Sequence, residues 1–125
     1  MPVLTRAQIQ QAKDLPTETV TVPEWGGDVI VRGMNVEELQ KYLAMMRGTQ
    51  EGNLQDLDMT KVDVANSLVT ITLYCVVDED GNRLFTEQDA DWLKTKGAGP
   101  LRKISEIAGR LTGISNGAQE TIAKN

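Results

Sequence analysis

Residues 22–39, VPEWGGDVIVRGMNVEEL, contain the end of one strand, a reversal, a second strand and a helix start. TETVTV (17–22) and DVIVR (28–32) are β-branched and alternate in polarity, the pattern of half-buried strands. Between them, Trp25-Gly26-Gly27 supplies the backbone freedom that a tight reversal needs. The reading is a β-hairpin over about 17–33. Asn35 then stands as an N-cap with Glu38 at the third helical position, and Met34 and Leu39 have the spacing of a hydrophobic staple. A helix is therefore expected over about 36–47, with Leu39, Tyr42, Leu43 and Met46 on one face.

Outward from this stretch the other elements are helical. Thr5 and Gln8 have capping-box spacing, Leu4 and Ile9 staple spacing, and Leu15-Pro16 stops the chain, which predicts a helix at about 5–13. The Gly- and polar-rich residues 48–53 predict a loop. Residues 60–77 are ambiguous: their β-branched content suggests a strand, whereas Val64, Leu68, Ile71 and Cys75 recur at helical spacing. Eighteen residues exceed a usual strand, and Thr60 with Asp63 offers a capping start, so the segment reads as helix. A turn at 78–82, a helix at about 87–95, a break at Gly97-Ala98-Gly99-Pro100 and a strongly amphipathic helix at about 101–112 follow. Ser115 is placed to cap a tail helix over 116–124. The fold class expected is α+β, one small, mostly helical domain spanning 1–125, with four to five helices and an N-terminal β-hairpin.

Composition narrows the function. At 125 residues, 40% of them apolar, the chain builds one modest core, and five aromatics leave that core mostly aliphatic. A net charge of −5 argues against nucleic acid as a partner, which needs clustered Lys and Arg. The longest apolar run, residues 68–77, is too short to span a bilayer, and no secretory leader is seen, so neither membrane nor export is expected. Without histidine, the commonest general base and the commonest ligand for zinc, copper or iron are missing. Cys75 lies in an apolar run and reads as an inert buried thiol. Asp78, Asp80, Asn82 and Asp89 have some calcium-loop spacing, but Arg83 stands where such a loop needs glycine. The plainer reading is a polar turn on Asp80-Gly81 that folds Leu84 and Phe85 back onto the core. No enzyme and no cofactor or metal are expected.

Three stretches, residues 4–39 (LTRAQIQQAKDLPTETVTVPEWGGDVIVRGMNVEEL), 76–93 (VVDEDGNRLFTEQDADWL) and 104–115 (ISEIAGRLTGIS), together resemble the tail assembly chaperones of long-tailed bacteriophages and related prophages. The resemblance spans nearly the whole chain in order, with VPEWGG.V.VRG and DEDG.RLFT as its more specific pieces. It implies a non-enzymatic factor of the host bacterial cytoplasm that binds the tape measure protein, keeps that long helical chain soluble and promotes assembly of the tail tube around it. Such a factor is absent from the mature virion. The alternative from another class is a structural minor component retained in the tail. The family offers no invariant site to carry over.

Partner contacts are therefore sought on apolar surface. Trp25 beside two glycines is either a lid on the core or an exposed anchor. Leu101, Ile104, Ile107 and Leu111 form a stripe that is either core or a contact face for client or self. A two-stranded hairpin is not stable alone, so it packs on helices or pairs by its free edge with a second copy or with the client. The resemblance further implies a longer form made by a ribosomal slip, with a domain that contacts tail tube protein; Ala123-Lys124-Asn125 is compatible with such a slip.

Overall fold

The structure is a computed structural model that describes residues 3–114. In it α1 (Arg6–Gln11) precedes the hairpin β1 (Thr17–Val22) and β2 (Gly27–Arg32), then α2 (Val36–Arg47), α3 (Val64–Cys75), β3 (Val76–Val77), α4 (Ala90–Leu93) and α5 (Ala98–Thr112). The expected tail helix at 116–124 and its Ser115 cap, like residues 123–125, lie outside the described residues.

Both capping boxes read from the sequence form. Thr5 Oγ1 accepts from the Gln8 N–H at 3.2 Å and Gln8 Oε1 accepts from the Thr5 N–H at 2.9 Å. Asn35 and Glu38 do the same for α2 at 2.8 and 3.0 Å. The α2 limits are those expected. In the hairpin, Thr17 pairs with Arg32 and Val22 with Gly27, so Gly27 belongs to β2 and the reversal is a single 3-10 turn, Pro23–Trp25. Only Gly26 of the two glycines needs a left-handed backbone, at φ 77°.

Four boundaries differ from expectation. First, α1 stops at Gln11, and Leu4 and Ile9 stay mostly exposed. Second, the segment 60–77 is not one helix. Met59–Lys61 is a separate 3-10 turn capped by Asp58, and Asp63, not Thr60, caps α3 by accepting from the Asn66 N–H at 3.0 Å. At its other end the helix gives way to β3, where Val76 and Val77 pair antiparallel with Val31 and Ile30. The sheet thus has three strands in the order β1-β2-β3, and the hairpin gains a third strand from the end of α3. Third, the helix expected at 87–95 is a 3-10 turn, Glu87–Asp89, followed by the four-residue α4. Fourth, Ala98–Pro100 opens α5 instead of closing its predecessor, because proline lacks an N–H that the first helical turn would leave unpaired anyway. Gly113, at φ 89°, ends α5.

The core lies between the sheet and the helices. Val20, Val22 and Val31 from the sheet meet Met34, Tyr42, Ile71, Cys75, Val76, Ile104 and Ala108. A smaller cluster of Val69, Leu73 and Leu93 joins α3 to α4, and half-buried Phe85 packs against both. Inside α3 the polar Thr72 is fully buried at no orphan cost, since its hydroxyl donates to the Leu68 carbonyl at 2.8 Å. α5 packs on the hairpin and ties to it at two places, Lys103 Nζ donating to the Thr21 carbonyl at 2.7 Å and Arg110 to Glu18 at 2.7 Å, and Thr112 Oγ1 accepts from the N–H of Met34, just beyond the hairpin, at 2.9 Å. Among the described residues no helix is long and apolar enough to cross a membrane.

Candidate partner-binding surface

The tip of the hairpin and α4 stand on either side of a cleft of about 360 Å³, lined by Glu24, Trp25, Phe85, Trp92, Leu93 and Lys96. Trp25 reaches it because the 3-10 turn closes on Gly26, with the Gly26 N–H donating to the Pro23 carbonyl at 3.0 Å. Phe85 and Trp92 meet edge to face, ring centroids 5.7 Å apart at 77°. Trp92 is 43% exposed, and its indole N–H donates to Asp89 Oδ1 at 2.9 Å. Asp89 also accepts from the Thr86 N–H at 2.8 Å; these two hydrogen bonds, the backbone one foremost, hold its carboxyl below the usual range. The Lys96 ammonium lies 5.8 Å from the Trp92 ring centroid, and Glu24 Oε2 lies 3.6 Å from where a β-carbon on Gly99 would stand. The arrangement combines three aromatic faces with one carboxylate and one ammonium at its walls.

Of the five residues singled out from the sequence, Trp25 is half-buried, packed against the core and part of this cleft, so it is both lid and wall. Leu101, at 3% exposed, and Ile104, at 0%, are core. Ile107 and Leu111 are half-buried and pack on the same core, and they keep the only surface of that stripe. The stripe and the cleft are separate places on the molecule; only Trp25 belongs to the latter.

Sequence reasoning passed over Phe85 and Trp92 as site residues, and it passed over a buried charge network. Glu38, 5% exposed, accepts from Arg32 at 2.8 and 3.0 Å and from both Nε and Nη2 of Arg83. Burial alone would raise its pKa; the bonds from Arg83, the Asn35 N–H and Arg32 outweigh that and lower it. Arg83 also stacks over the Tyr74 ring at 4.6 Å, and Arg32 donates to the Tyr74 carbonyl. A charge network carries no periodic sequence signal, which is why it is not legible before the fold.

The turn at 78–82 is a fastening of another kind. Asp78 Oδ1 accepts from the N–H groups of Asp80 and Asn82 at 2.9 and 3.0 Å, and the Asp78 N–H donates to the Asn82 carbonyl at 2.8 Å, which turns the chain back on β3. Phe85 returns to the core as expected, but Leu84 remains 52% exposed. Cys75 is fully buried, and burial pushes its thiol up to about 12. At neutral pH it is not a nucleophile.

The family model of the phage tail assembly chaperones matches residues 4–121. The chain belongs to that family. A chaperone's role is non-enzymatic, and membership implies contact with phage tail proteins in general. Among solved structures, the tail assembly chaperone of bacteriophage HK97 is similar in fold, with a TM-score of 0.58 over 88% of this chain and 95% of that one, at 17% sequence identity. No curated protein matches the chain.

Proposed function

We propose that this tail assembly chaperone binds the tape measure protein of its phage, keeps it soluble and promotes assembly of the tail tube around it. The observation that carries this reading is the aromatic cleft, with Trp92 and Leu84 about half exposed on a chain of net charge −5. A tape measure has apolar helical stripes without a partner until the tube encloses it, so its chaperone must offer apolar surface and stay soluble itself. On this reading the protein works in the host bacterial cytoplasm and is left out of the virion. Ile107 and Leu111, the half-buried part of the α5 stripe, offer a second contact area away from the cleft that holds Trp25. A second copy pairing along the edge strand β1 would compete with Lys103 for the Thr21 carbonyl, so the client and not a second copy is the partner proposed.

Co-expression with the tape measure protein tests it. The client is expected in the soluble fraction, co-purifying with this chain, and in inclusion bodies without it. A client equally soluble alone would overturn the reading, and abundant peptides of this chain in purified virions would make it a structural component instead. A longer, slipped form would join client-binding and tube-binding parts and raise the effective concentration of one partner near the other. A gene with GCC for Ala123 or AAG for Lys124 would remove that slip site.

A further inference from the structure

The net charge of the protein is not spread evenly. Residues 78–92 hold six carboxylates and one arginine, a charge of −5, while the remaining twelve acidic and twelve basic residues cancel. This acidic segment also supplies Phe85 and Trp92 to the cleft, with exposed Leu84 beside Phe85. Glu24 adds a carboxylate from the hairpin side, and Asp89 holds the indole N–H. The Trp92 ring already takes an ammonium from the chain's own Lys96.

We propose that the cleft between the hairpin tip and α4 binds a basic amphipathic helix of the client, whose apolar side chains enter among Trp25, Phe85 and Trp92 while a lysine or arginine replaces Lys96 over the Trp92 indole. This rests on the reading of the protein as a client-binding chaperone and names the chemistry its client must present. The volume, about 360 Å³, is at the small end of ligand-sized pockets, which run from roughly 300 to 1,000 Å³. It suits a few side chains of a helix laid across it, anchored at i, i+3 and i+4, better than a buried small molecule. Aromatic faces attract cations through their quadrupole, and Glu24 at the cleft wall with Asp89 on the Trp92 indole adds a field that salt screens. A purely apolar or acidic helix would leave that field unused or oppose it.

The full-length protein decides this with two fluorescently labelled synthetic peptides of one amphipathic pattern, one of leucine and lysine, the other of leucine and glutamate. The leucine–lysine peptide is expected to bind, less tightly as salt is added, and the leucine–glutamate peptide not to bind. Trp92→Ala and Glu24→Lys should each weaken binding roughly tenfold, the scale of one lost cation–π contact or charge pair at a desolvated site. Lys96→Ala, which removes the resident cation, should bind at least as tightly as wild type. Circular dichroism identifies any variant that fails to fold, and Glu24 is exposed, so that substitution leaves the core untouched. Equal binding of both peptides, or wild-type affinity in a folded Glu24→Lys or Trp92→Ala protein, would overturn the proposal. If co-expression shows no hold on the tape measure protein, the functional reading falls, and the peptide measurement still decides the cleft.

Discussion

Glu38 is the residue on which the most separate pieces of chain converge. Its carboxylate takes bonds from the end of β2 through Arg32, from the chain after β3 through Arg83 and from its own helix start through Asn35. Removing one member of a buried ion pair leaves the others desolvated, so Glu38→Gln should cost about 3–5 kcal/mol in urea unfolding at neutral pH. The same residue carries a pH signature. Because its pKa in the folded state lies below the ordinary 4.5, its stabilisation is present above that value and is lost as the pH falls through the folded pKa. Wild type should therefore lose stability below about pH 4.5, and Glu38→Gln should lose less over the same interval. The exposed Asp58 and Asp89, whose carboxyls are also held low, are present in both proteins, so the difference between the two unfolding curves reports Glu38. Parallel acid limbs would refute the assignment.

Among the elements, α5 and the hairpin set each other's position, and the contact is tightest at Gly33. A β-carbon there would stand 3.0 Å from the Leu111 carbonyl oxygen and 3.2 Å from its carbon, both backbone atoms that cannot swing aside. Gly33→Ala should therefore force the end of β2 and the end of α5 apart, costing about 1–3 kcal/mol, the range of an overpacked core. About two turns back along α5, fully buried Ile104 packs with the sheet valines, and Ile104→Ala should cost about 2–5 kcal/mol by leaving a cavity. Differential scanning calorimetry ranks the two. An unchanged melting temperature for Gly33→Ala would mean that the helix end yields without cost, and the hairpin would then owe its position to Ile104 and its neighbours.

On the scale of the molecule, the central strand β2 is paired on both sides, and Phe85 bridges the two apolar clusters, so sheet, long helices and α4 should unfold together. Circular dichroism follows α2, α3 and α5, while Trp25 and Trp92 report the cleft. The two signals are expected to superimpose across a urea titration. Fluorescence changing at lower urea than dichroism would show α4 and the cleft opening as a unit of their own, which would in turn free the Trp92 face without global unfolding.

What the sequence determined by itself is whatever neighbouring residues dictate to one another. The Thr5–Gln8 and Asn35–Glu38 boxes, the hairpin alternation from Thr17 to Arg32 and the amphipathic period of α5 are local, and each formed where it was read, except that α5 starts three residues earlier at Ala98. The family resemblance, too, was legible along the chain. The tertiary structure alone decided the contests that local rules leave even. Val76 and Val77 continue a helical period, yet β2 offers them unpaired backbone, and strand pairing wins because a buried N–H or C=O without a partner costs more than a lost turn of helix. Leu101 and Ile104 became core, Ile104 against the sheet valines, while Phe85 and Trp92 came to line one cleft with Trp25 of the hairpin tip. Glu38 and Arg83 are 45 residues apart, and only the fold could bring their charges together.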